Sequence, residues 1–176
     1  MTMAHFSSRD QLILPFAEKE YVSVDRSARI LGVSIMTVHR MADPTQNGGR
    51  GLLTLVSYRR QAHKRILYSS IVRFCDGLRE RYGIANNRPK LDHPMFRHRD
   101  ADLLPFPLTD TIYSAEALSA LGYEDLKPLT YLIEEGRFDA YQLIPESAWR
   151  ISRSSFVRFL AATRDRQLPN ERRIPN

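Results

Sequence analysis

Residues Ala28–Met41, ARILGVSIMTVHRM, form the stretch whose reading decides the fold. Ala28 is small enough for a second helix to cross close to the first. Gly32, four residues on, can take the left-handed backbone that ends a helix. Ser34 follows the turn at Gly32–Val33 and is placed to accept a hydrogen bond from the orphan amides of a new helix. Val38 and Met41, three apart, share the buried side of that second helix. This is helix-turn-helix spacing, which an ordinary helical hairpin also meets.

Working outward, Ser23 can cap a helix over Val24–Leu31, with Ala28 and Leu31 inward. The second helix spans Ser34–Met41. Asp43–Pro44 ends it, because a residue before proline leaves the helical region. Gln46–Gly51, QNGGRG, reads as a flexible loop. Leu52–Tyr58 has strand-like residues, and Ile66–Tyr68 can pair back against it. Between them lies the run Arg59, Arg60, Gln61, Ala62, His63, Lys64, Arg65, so a β-hairpin with a basic tip is expected. Ser69 is then placed to cap a third helix over Ser70–Tyr82. Ile71, Val72, Phe74, Cys75 and Leu78 recur on its inner side.

Residues 21–82 thus read as one unit, preceded by an N-terminal arm over residues 1–20. Residues 83–111 read as a linker, with four prolines from Pro89 to Pro107 and no sustained period. Part of it, at Phe96, Leu103, Leu104 and Phe106, is apolar enough to pack. Residues 112–164 then echo the first unit. Ile66–Phe74, ILYSSIVRF, and Ile151–Phe159, ISRSSFVRF, are identical at six of nine positions. Upstream, Ser114 can cap a helix, and Leu118, Leu121 and Gly122 mirror Ala28, Leu31 and Gly32. Leu126–Glu135 supplies a second helix ended by Gly136, and Phe138–Ile144 with Trp149–Ile151 a second hairpin. An internal duplication is expected, followed by a polar tail over residues 165–176 read as disordered. The fold class is therefore mainly α with small β-hairpin wings, two winged helix-turn-helix domains in tandem.

Lys and Arg number 26 against 20 Asp and Glu, a formal charge of +6, and the pI is near 9.7. An anionic partner is favoured, nucleic acid or membrane surface. Cys75 is the one cysteine, so neither a disulfide framework nor a thiolate metal cluster is available. No basic segment followed by a long apolar run marks a signal peptide, and no stretch reaches the length of a membrane span. A cytoplasmic, nucleoid-associated protein is the expectation.

Helix, turn, helix, hairpin, and a helix opening on Ser-Ser and an aliphatic-Arg-Phe run follow one another in the first unit. This order resembles the small winged helix-turn-helix domains of the phage-excisionase and MerR-like group. The pattern is carried by Val22-Ser23-Val24, Ala28, Leu31-Gly32-Val33-Ser34, Thr37-Val38, Met41 and Arg65-Ile66-Leu67. The first unit departs from it in a longer loop between the second helix and the hairpin. The resemblance implies a second helix in the DNA major groove and a wing on phosphates or in the minor groove.

The two units differ in charge. Residues 21–82 hold eleven basic and four acidic side chains, a net +7, whereas residues 112–164 hold six and seven, a net −1. The second unit's hairpin offers Ile144-Pro145-Glu146-Ser147-Ala148 where the first offers Arg59, Arg60, His63, Lys64 and Arg65. Each phosphate contact adds about one unit to the salt slope of binding, so the cations concentrate attraction in the first unit. Its second helix should expose Ile35, Met36, Thr37, His39 and Arg40 beside the capping Ser34. Thr37 and Arg40 suit phosphate or base-edge hydrogen bonds. Ile35 and Met36 can touch thymine methyls or pack on the arm. His39 can donate to a phosphate or be a plain surface histidine. In the second unit Glu124 and Asp125 would repel phosphate, which suits protein contact, dimerisation or flanking DNA contact. Trp149 is expected to anchor that unit's core.

His93 and His98, with Asp92, Asp100 and Asp102 nearby, lack the spacing of helical metal ligands. Asn47–Gly51 has no lysine with a Ser/Thr after it, so a P-loop is not indicated. No catalytic constellation and no cofactor or metal site is expected, and Cys75 reads as inert core. The expectation is a sequence-specific double-stranded-DNA-binding protein, a bacterial or phage transcription regulator. The alternatives are an excisionase-like architectural factor for recombination and a protein-interaction adaptor. Residues 112–164 would serve a homodimer or a protein partner.

Overall fold

The computed structural model describes residues 21–47, 49, 51–57, 64–85 and 100–167. These form six α-helices and two three-stranded antiparallel sheets, a mixed α/β chain. Two compact units divide them, one of residues 21–77 with 100–104 and one of residues 78–85 with 105–167.

In the first unit, β1 (Tyr21–Ser23) leads into α1 (Val24–Leu31). Ser23 caps α1, its Oγ accepting from the Arg26 N–H at 3.1 Å. Gly32 closes α1 at φ 61°, a backbone any side chain would strain. α2 (Ile35–Ala42) starts on Ser34, whose Oγ accepts from the Thr37 N–H at 3.1 Å. Ala28, Ile30 and Leu31 of α1 and Val38, Met41 and Ala42 of α2 are buried.

The hairpin expected from sequence is shorter and is joined by a third strand. β2 is Leu55–Val56 only, and β3 is Arg65–Leu67. The sheet order is β1-β3-β2, with Ile66 opposite Val22 on one side and Leu55 on the other. Arg65 therefore sits in a strand rather than at a tip. Tyr68, expected to end a strand, opens α3 (Tyr68–Tyr82), so Ser69 is not its cap. The junction is fixed by Ser70, whose Oγ donates to the Leu67 carbonyl at 2.6 Å and accepts from the Thr54 N–H at 3.0 Å. Ile71, Cys75 and Leu78 are buried on α3, while Val72 and Phe74 are half-buried.

The start of the expected flexible loop is tied down, and the apolar end of the expected linker packs as its residues suggest. Pro44–Gln46 forms a 3-10 turn, with the Asp43 carboxylate accepting from the Thr45 N–H and hydroxyl at 2.9 and 2.8 Å. Those bonds hold the Asp43 carboxyl below its ordinary pKa, the Thr45 hydroxyl first. Asn47 then bonds back to the end of α2. At the far end of the expected linker, Asp100 takes a bidentate contact from Arg26, 3.0 Å at both nitrogens. Tyr68 Oη donates to it at 3.4 Å. Leu103 and Leu104 are buried, so residues 100–104 belong to the first unit. The Arg26–Asp100 pair is about two-fifths exposed on each side, and solvent screening keeps such a pair to about 1 kcal/mol or less.

The second unit runs β4 (Thr111–Tyr113), α4 (Ser114–Leu121), α5 (Leu126–Glu134), β5 (Ala140–Gln142), β6 (Trp149–Ser152) and α6 (Arg153–Gln167). Its sheet order is β4-β6-β5, with Ile151 opposite both Ile112 and Ala140. Ser114 is the first residue of α4, not its cap; Glu116 reaches back to accept from the Tyr113 N–H at 2.9 Å. α5 ends one residue earlier than expected, at Glu134. The core gathers Ile112, Ala117, Leu129, Phe138, Ala140, Ile151 and Phe156. Phe138 and Phe156 meet edge to face at 5.2 Å. Trp149 is half-buried at the edge of this cluster, so the core's aromatic centre is Phe138 with Phe156. α6 continues to Gln167, past the expected start of a disordered tail at residue 165. Ser155 repeats the bonding of Ser70: its Oγ donates to the Ser152 carbonyl at 3.1 Å and accepts from the Asp139 N–H at 2.9 Å.

Candidate functional site

Three inward positions, Val38, Met41 and Ala42, fix the orientation of α2. Successive helical residues turn by about 100°, so Met36 and Arg40 fall opposite them, one turn apart. Both are exposed, Met36 at 62%; Ile35, the first residue of the helix, is 48% exposed but by the same rotation lies about 60° from Val38, toward the buried side. Ser34 is exposed at the helix start, and Thr37 and His39 are half-buried on either margin. The hydroxyls of Ser34 and Thr37 share a hydrogen bond at 2.9 Å, so both belong first to the cap. Arg40 presents its guanidinium in the last turn.

The hairpin is rooted on the same helix. The Met41 carbonyl accepts from the Leu52 N–H at 2.7 Å and from the Leu53 N–H at 3.2 Å. Gly51 lies so close that a Cβ there would come within 2.7 Å of the Ala42 carbonyl oxygen. The last turn of α2 thus sets where β2 begins. Lys64 and Arg65, on the returning strand's side of the hairpin, are exposed. Arg59, Arg60 and His63 lie outside the described residues, as do Arg50, the arm over residues 1–20, and the histidines His93 and His98.

Charge counting overstates the available cations. Arg79 is 5% exposed. Arg26 is held by Asp100, and Arg29 pairs with Asp25 at 3.0 Å within α1. Arg40, Lys64 and Arg65 are exposed and have no carboxylate partner among the described residues. Arg73, on α3, shares that state. No periodicity in the sequence singles Arg73 out, although it falls outside the buried positions Ile71, Cys75 and Leu78.

α5 holds the place in the second unit's order of elements that α2 holds in the first. Its exposed residues include Leu126, Lys127, Tyr131 and Glu134, and Glu124 and Asp125 precede it. The Tyr131 hydroxyl bonds the Glu135 carboxylate, which raises the tyrosine's pKa and lowers the glutamate's. Arg150, counted as a cation from sequence, is 4% exposed and lies over the Tyr141 ring, 5.9 Å from its centroid. This unit also exposes apolar side chains one turn from cations, Tyr131 with Lys127 on α5 and Val157 with Arg153 on α6.

No family model matches the chain, and no curated protein or solved structure is significantly similar to it. Among the described residues, no helix is long and apolar enough to cross a membrane.

Proposed function

We propose that the chain is a sequence-specific DNA-binding protein built from two winged helix-turn-helix units of common descent. The observation that carries this reading is the outward side of α2. A serine-capped helix, held by a buried apolar stripe, exposes Arg40 and Met36 and ends where a hairpin bearing Lys64 and Arg65 is rooted. In this reading α2 enters the major groove and the hairpin lies on the backbone or in the minor groove. The common order of elements and the matching bonds of Ser70 and Ser155 support the duplication. Action is by occupancy, as a bacterial or phage transcription regulator, and an excisionase-like architectural factor uses the same surface. The second unit, with a hairpin turn that holds Glu146 and no cation and with Tyr131 exposed, serves a protein partner or a second copy.

Selection of the full chain against a random duplex pool, followed by footprinting, tests this. A protected site of defined sequence is expected, lost in Arg40→Ala. Retention of no duplex above background refutes the proposal.

A further inference from the structure

Met36 and Ile35 are the large apolar side chains that the first unit leaves exposed among its described residues. They stand at the start of a helix whose other outward group is a guanidinium. Apolar area of this kind stays in water until something covers it. The charges of the same helix and of the hairpin rooted at its end constrain the cover. Arg40, one turn on, is exposed without a carboxylate partner among the described residues, as are Lys64 and Arg65 on the hairpin, so the occupant carries negative charge. The hydroxyls of Ser34 and Thr37 already bond each other and the cap amide, and His39 is half-buried. Hydrogen bonding from the outward side is therefore left mainly to Arg40.

We propose that α2 reads thymine through its 5-methyl group. Met36 covers the methyl, and Arg40 reads a neighbouring guanine. This rests on the DNA-binding reading above and specifies what the helix recognises. On the base edges of the major groove the thymine methyl is the apolar group, and guanine O6 and N7 are the acceptors that suit a bidentate guanidinium. One helical turn advances about 5.4 Å and one base pair about 3.4 Å. Met36 and Arg40 therefore address base pairs one or two steps apart. Methionine is unbranched and adapts its shape, which suits a methyl target whose position shifts with local DNA geometry.

The test needs no change to the protein. A duplex pool of random sequence is selected on the full chain, and the best site is resynthesised with deoxyuridine replacing thymidine, one position at a time. The expected site holds a thymine within two base pairs of a guanine. Removing one methyl there weakens binding about fourfold, the equivalent of one buried methylene. Met36→Ser weakens binding to the thymidine duplex by a similar factor and binds the two duplexes alike. Equal binding of thymidine and deoxyuridine duplexes at every position overturns the methyl readout while leaving DNA binding standing. Unchanged duplex binding by Met36→Ser overturns it too. Retention of no duplex from the pool overturns DNA binding itself.

Discussion

The Asn47 side-chain amide donates to the Arg40 carbonyl oxygen at 2.8 Å. The same nitrogen reaches the Asp43 carbonyl at 2.8 Å and the Met41 carbonyl at 3.3 Å. An amide carries two N–H groups, so the two short bonds are made outright and the longer one is shared. The last carbonyls of a helix have no partner within it, and Asn47 supplies one at the turn that carries Arg40. Asn47→Ala should lower stability by about 1 kcal/mol. Asn47→Asp should cost more, because a carboxylate would face carbonyl oxygens. Urea denaturation at neutral pH checks the order, and an aspartate variant as stable as the native chain would contradict it.

Ser70 and Ser155 are buried and bond alike, each joining a strand-to-helix junction to the amide of a residue earlier in its own unit. Alanine at either position removes the acceptor of that amide. Each substitution should cost about 0.5–1.5 kcal/mol, the net worth of a typical hydrogen bond, because Thr54 and Asp139 are themselves exposed. Thermal unfolding of the two variants should show similar losses. A loss below a few tenths of a kcal/mol for either would show that water takes the hydroxyl's place.

Gly51 and Gly77 should respond oppositely to alanine. A Cβ at Gly51 meets the Ala42 carbonyl oxygen at 2.7 Å and the Leu53 carbonyl oxygen at 3.0 Å, both backbone atoms. Nothing lies within 4 Å of a Cβ at Gly77, which is inside α3. Gly77→Ala should stabilise by about 0.5–1 kcal/mol through the entropy of the unfolded chain. Gly51→Ala should destabilise by about 1–3 kcal/mol, the range for overpacking. Melting temperatures that move in the same direction for both would contradict this.

Asp110 accepts from Ser152 Oγ at 2.8 Å and from the Ser154 N–H and Oγ at 3.0 Å, bracing the start of α6. Burial raises its pKa, but the bonds from Ser152 and Ser154 and the charge of Arg153 outweigh it and leave the carboxyl below 3.8. The folded state therefore favours the carboxylate. The resulting stability is present in full above the unfolded value of 3.8 and is lost as pH falls through the lower folded value. Asp110→Asn should cost about 1 kcal/mol at pH 7, as for loss of a helix cap. The difference from the native chain should shrink below about pH 3.8. Denaturation across acid pH checks it, and a constant difference would contradict the linkage.

Short-range signals carried most of the legible fold. Ser23, Gly32 and Ser34 act within four residues of themselves, so α1, α2 and the turn between them are where the spacing put them. β1 and β4 are three residues each, too short to show alternation, and they are strands because Ile66 and Ile151 pair with them from far along the chain. The return of Asp100 to Arg26 is likewise a contact across 74 positions. The repeat of Ser-Ser was visible as identity, but its cause, a buried hydroxyl serving a distant amide, was not. For the site, helical phase gives Met36 and Arg40 as outward, whereas Thr37 and His39, also expected to be exposed, are half-buried. Which cations are exposed does not follow from phase, because burial of Arg79 and capture of Arg26 depend on the folded chain.

Salt titration of duplex binding is the most direct test of α2 and its hairpin as a DNA-reading surface. The native chain and a variant with Arg59, Arg60, Lys64 and Arg65 changed to alanine are measured on the selected site over a range of salt. Each phosphate that the variant no longer neutralises should lower the slope of log affinity against log salt by about 0.9. A slope reduced by about two units or more, with the same site still preferred, is the expected result. An unchanged slope and affinity in the variant would contradict it.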